Sequence, residues 1–190
     1  MIRWKLAVSA MALFIAGQEV AAASSATVST PVSRTGTSDG GAEVTLAAGA
    51  DGGALLQFRS WAAPQLIGDH AQSNAVALIS DAEGHVLRRA VFRCHRAITR
   101  LAQNLNRQCE HQFSMPAEVM RRAAWLFAFN RLCVWQEHDN AASHRQTGCI
   151  RDGDTIQAVD AFAGRLPQLL STAGDAAAID AGEWRGVRLR

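Results

Sequence analysis

Lysine is nearly absent from this 190-residue chain: Lys5 is the only one, so every other fixed cation is an arginine. Arginine's planar, bidentate donors suit carboxylates and phosphates. The high alanine content, however, points to the codon bias of a GC-rich coding sequence. Long apolar runs are missing too. The stretch 6–16 is far shorter than the roughly 20 residues a membrane-spanning helix needs, so no permanent helical anchor is expected there. No C-x-x-C, C-x-x-C-H, H-E-x-x-H or glycine-rich phosphate loop occurs, which removes the familiar redox, haem, zinc-protease and nucleotide signatures. No cofactor is expected.

What is present begins with an address. Arg3 and Lys5 precede the apolar run 6–16, and the small residues Ala21, Ala22 and Ala23 follow it. This is the pattern of a secretory signal peptide over residues 1–23, cleaved after Ala23, which predicts a periplasmic or secreted protein. Residues 24–54 are rich in Ser, Thr, Gly and Ala, with too little apolar surface to offset the entropy of ordering them, and read as a flexible leader. The alternative there is a hairpin pairing 44–46 with 55–58 across the glycines at 49–53. A helical domain is expected over 55–172 and a loosely ordered tail over 173–190.

Within that domain the spacing predicts four helices. The first covers 74–83. The second covers 85–111, where Leu87, Val91, Cys94, Ile98, Leu101 and Leu105 recur in steps of four and three. The third, 116–137, is apolar on nearly every side (Trp125, Leu126, Phe127, Phe129, Leu132, Val134, Trp135), as a central buried helix would be. The fourth, 154–170, turns Ile156, Val159, Phe162, Leu166 and Leu169 inward, with Pro167 near its end. The fold expected is all-α: a small bundle on a disulfide-stapled antiparallel helical hairpin. The alternative is α+β with a small N-terminal hairpin, and residues 75–80 turning at 81–84 into 85–93 also read as a β-hairpin.

Four cysteines, an even number in an exported chain, argue for two disulfides. A helical hairpin turning near 113–116 brings Cys94 level with Cys133 and leaves Cys109 for Cys149. Cys94 and Cys109 within one helix would stand roughly 22 Å apart, against the ~5.5 Å a disulfide requires. Their pairing, with Cys133 joined to Cys149, demands that the second helix break.

On that helix Arg89, Arg93, Arg96, Arg100 and Arg107 fall on one stripe, and no acidic residue occurs from 85 to 108. Uncompensated like charges are mildly destabilising. The stripe is therefore either a solvated face or a contact for an acidic protein or an anionic envelope component. Export argues against nucleic acid. Cys133, His138, His144 and Cys149 are a weaker alternative, a tetrahedral zinc set that competes with disulfide formation. The reading that follows is an exported, non-enzymatic binding protein, such as an inhibitor, immunity factor or adaptor, that makes contact through the arginine stripe. The alternatives are a periplasmic enzyme with a site near His138 and His144, or an envelope-associated structural protein.

Overall fold

The computed structural model describes residues 25–35, 38–64, 69–97, 108–136 and 152–189. The expected signal segment, residues 1–23, lies outside them. The chain is built from strands rather than helices. In order they are β1 (Ser25–Ser29), β2 (Ser33–Thr35), β3 (Ser38–Ala48), β4 (Ala54–Ala63), β5 (Asp69–Ser80), β6 (Val86–Ala97), β7 (Gln108–Met115), the short α1 (Ala117–Arg122), β8 (Trp125–Gln136), the long α2 (Asp152–Ala173), β9 (Ala178–Ala181) and β10 (Trp184–Arg188). The strands form two antiparallel sheets. Sheet A has the order β1-β3-β4-β7, with β2 also on β3, and sheet B has the order β6-β5-β8-β10-β9. The all-α expectation is overturned, and the N-terminal hairpin alternative is present as the antiparallel pair β3–β4, in which Val44 faces Phe58 and Leu46 faces Leu56. Segment 24–54, expected as a flexible leader, supplies β1 to β3. The tail expected to be loose supplies β9 and β10. Among the described residues no helix is long and apolar enough to cross a membrane.

Sheet B is the middle of three layers, and this explains the misread helices. Along β8, Leu126, Ala128 and Leu132 face sheet A, while Trp125, Phe127 and Phe129 face α2. A strand covered on both faces shows a continuous apolar run with no alternation, and such a run is ambiguous between strand and buried helix. Strand β5 behaves likewise: Ala75, Ala77 and Ile79 face sheet A, and Val76 and Leu78 face α2. In β6 the register shifts beside Ile79 and Ser80. The bulge places Leu87 and Ala90, three residues apart, in one core, whereas Val91 of the expected helical stripe falls on the other face of the strand and is exposed.

The β5–β6 turn obeys local rules. Asp81 accepts from Gly84 N–H at 3.2 Å, and Gly84 has φ +89°, the arrangement of a type I turn followed by a left-handed residue. Gly84 is also a point of close approach, because a Cβ there would stand 2.6 Å from the backbone nitrogen of Pro167. Pro167 lies inside α2, and the helix rests on this turn. The expected fourth helix is α2 itself, extended to Asp152 and Ala173. Val159, Phe162 and Leu166 are buried as expected, but Ile156 is 53% exposed.

The two sheets are tied at one level. Cys94 on β6 is bonded to Cys109 on β7, one strand from each sheet. One strand further in, Ser60 on β4 and Ser73 on β5 lie 2.7 Å apart, hydroxyl to hydroxyl. Ser60 donates to the Gly41 carbonyl at 3.1 Å, and Ser73, whose oxygen lies 3.3 Å from the same carbonyl, donates to Asn130 Oδ1 at 2.5 Å. A buried hydroxyl without such partners would be costly, so this serine pair and the disulfide hold the same register between the sheets. The bond excludes the expected Cys94–Cys133 and Cys109–Cys149 pairings. Cys133 is itself disulfide-bonded, and Cys149 lies outside the described residues.

Candidate functional site

The arginine stripe does not survive the change from helix to strand. Residues of equal parity share a strand face, so Arg89 and Arg93 lie on the α2 side of β6 while Arg96 lies on the other. Arg89 is already paired, its guanidinium 2.5 Å from Asp160 of α2. Arg96 donates to the carbonyls of His95 and Gln108 at 3.0 and 2.8 Å. Arg100 and Arg107 lie outside the described residues, as do His138, His144 and Cys149. The disulfide at Cys133 removes its thiolate from the expected zinc set. The segment Gly36-Thr37-Ser38-Asp39-Gly40 spells G-x-S-x-G. Its nucleophile role requires a strand-to-helix elbow, whereas Ser38 opens β3 opposite Thr35 of β2, where it is buried and its hydroxyl has no hydrogen-bond partner among the described residues.

Two titrating groups are organised by the fold. His70 and His95 stack with ring centroids 5.3 Å apart, and Nδ1 of the first lies 3.2 Å from Nε2 of the second. Burial lowers the His95 pKa, and the nearby charges of His70 and Arg96 act in the same direction. Asp81 is buried, which alone would raise its pKa. The His85 backbone N–H at 2.8 Å, Arg122 at 3.0 Å and the His85 ring outweigh that and hold it below the ordinary carboxylate value. Asp81, Glu83 and His85 place their ligand atoms within 4.8 Å of one another, but both Asp81 oxygens are already engaged, and the carboxylate serves to clamp the turn. Both lowered values mean that the folded state binds fewer protons than the unfolded one, so stability falls on acidification. The denaturation midpoint is expected to decline as pH drops below about 6.5, the unperturbed histidine value, and again below about 4, the unperturbed carboxylate value. His95→Gln should flatten the first decline and Asp81→Asn the second.

A more open feature lies between α2 and the β9–β10 hairpin. The hairpin turns at Gly182 and Glu183, with Trp184 opposite Ala181 and Gly182 at φ +69°, as a two-residue type II′ loop requires. This signal was in the sequence: Ile179 and Ala181 alternate with polar residues on one side of Gly182, and Trp184 and Gly186 do so on the other. A cavity of about 640 Å³ runs beside the helix, a size typical of ligand sites. Its lining extends from Ala158 to Thr172, about 21 Å of helix at the usual rise. The floor is aromatic. Phe162 stacks on Trp184 with centroids 4.1 Å apart and planes 2° from parallel, and Trp184 stacks on Phe129 at 5.0 Å. The rim carries Arg165, Gln168, Thr172 and Glu183. Glu183 is paired with Arg131 at 2.5 Å, while Arg165 makes no ion pair among the described residues. Beside the groove, β9 ends sheet B, and among the described residues no strand pairs with its outer edge. An open edge is a template for another strand. No family model, no curated protein and no solved structure matches this chain.

Proposed function

We propose that the protein is an exported binding protein that captures an extended, acidic peptide segment in the groove between α2 and β9. The observation that carries this reading is the juxtaposition, among the described residues, of an open strand edge, an aromatic floor and a guanidinium without an ion pair, Arg165, along a single groove. An added strand satisfies its backbone groups on β9 and lays alternate side chains against α2. An acidic side chain of that strand pairs with Arg165 in bidentate fashion. This reading keeps the expectation of an acidic partner but moves the contact from the β6 arginines to the helix groove.

Titration with an alternating valine–glutamate peptide tests it, followed by calorimetry or by the tryptophan emission to which Trp184 contributes. Arg165→Ala should weaken binding about tenfold, equivalent to ~1.4 kcal/mol, and Arg165→Glu should weaken it further by repulsion. An alternating valine–lysine peptide should not bind. Equal affinity for the two peptides would sink the proposal.

A further inference from the structure

The groove is not the molecule's only organised surface. On the outer face of sheet A, Trp61 of β4 pairs with Gly41 of β3, and a Cβ on Gly41 would lie only 2.3 Å from the indole ring. The ring therefore lies across the neighbouring strand, in the space that a side chain would otherwise fill. Trp125 and Trp184 are buried in the core under α2. Trp61 is half-buried, stacks on no other ring and makes no hydrogen bond through its indole among the described residues. The opposite sheet is covered on its outer side by α2, whereas no described element covers the outer face of sheet A.

The rows beside Trp61 are polar. The nearest holds Glu43, Arg59 and Glu110 in register across three strands, with Arg59 Nε donating to Glu110 at 3.1 Å and Glu43 3.9 Å from the same guanidinium. The next holds Thr27, Thr45, Gln57 and Gln112, the two threonine hydroxyls 2.9 Å apart. From Trp61 to Gln57 the face runs about 13 Å along the strand.

We infer that this face is a glycan-binding platform for a neutral polysaccharide strand, with Trp61 as its stacking residue. The electron-rich face of an indole attracts the polarised C–H bonds on the flat side of a sugar ring. Carboxylates, a guanidinium and amides in adjacent rows match a chain of hydroxyls, each of which both donates and accepts. Charge decides against an anionic partner. Arg59 is flanked by two carboxylates, so the row carries a net negative charge, and the face offers too little apolar surface for a protein interface core. This inference is independent of the groove and stands or falls separately.

The test is calorimetric titration of the protein with cellohexaose, fully N-acetylated chitohexaose and an oligogalacturonate of equal length. One or both neutral hexasaccharides should bind, and Trp61→Ala should weaken that binding at least about tenfold with the thermal midpoint nearly unchanged, because the ring lies outside the core. Trp61→Phe should retain part of the affinity. Gly41→Val, which displaces the ring, should lose it, and Arg165→Glu should have no effect. Binding of neither neutral hexasaccharide, preference for the oligogalacturonate, or unchanged affinity in Trp61→Ala overturns the inference.

Discussion

Phe162→Ala is expected to lower folding stability by about 4 kcal/mol, within the range for large aromatic truncations in a closed core. Phe162 is 1% exposed and lies at the centre of the layer between α2 and sheet B. It meets Phe127 edge-on at 5.5 Å and stacks flat on Trp184 at 4.1 Å. Truncation removes its own buried area and both aromatic contacts, each adding about 0.5–1.5 kcal/mol beyond area. The remaining walls belong to strands hydrogen-bonded on both sides, so the cavity cannot collapse readily. Because Phe162 is also part of the groove floor, the valine–glutamate peptide should bind more weakly to the variant. Denaturant unfolding followed by far-UV circular dichroism measures the first effect. A loss below about 1 kcal/mol, the scale of an ordinary surface substitution, would falsify the tight docking of α2.

Cys94→Ser combined with Cys109→Ser is expected to cost about 3 kcal/mol, the loop-closure value for a separation near 15 residues, and the separation here is 15. The bridge joins the edge of one sheet to the edge of the other. Its removal frees β6 and β7 to splay and places more load on the Ser60–Ser73 contact beside it. The double serine variant is more informative than a reductant, because a reductant would also open the bond at Cys133. Hydrogen exchange should show faster opening of β6 and β7 than of β5 and β8, which are paired on both sides. Uniform protection across the four strands would show that the bridge does not govern that edge.

Much of the fold was legible only as alternatives. The hairpins 44–46 with 55–58 and 75–80 with 85–93 were both readable from turn chemistry, because glycine and aspartate punctuate short alternating runs. The first competes with the Ser, Thr, Gly and Ala composition of 24–54, which reads as a flexible leader, and β6 and β8 each carry a competing signal of their own. For β6 that signal was the spacing of Leu87, Val91 and Cys94 in steps of four and three, which the strand divides between its two faces. For β8 it was apolarity on both faces, which records that something covers each face but not whether the backbone beneath is extended or coiled. The arginine stripe followed from the same error, since Arg89, Arg93 and Arg96 share a face only at helical spacing. Of the groove, the β9–β10 turn was written in the sequence at Gly182. Arg165 and Gln168 gave no signal, because a rim residue is defined by what stands across from it.

Local chemistry determined what depends on near neighbours. The sequence by itself determined α2, through the spacing of Val159, Phe162 and Leu166, and it determined that cysteine would be used in disulfides rather than as free thiols. Only the tertiary structure decided the disulfide partner of Cys94, the side of β6 on which each arginine stands, and the exposure of Trp61 against the burial of Trp125 and Trp184. Those outcomes turn on contacts between residues far apart in the chain. Sheet pairing can satisfy the same backbone groups in several registers, and burial between layers selects the one that is adopted.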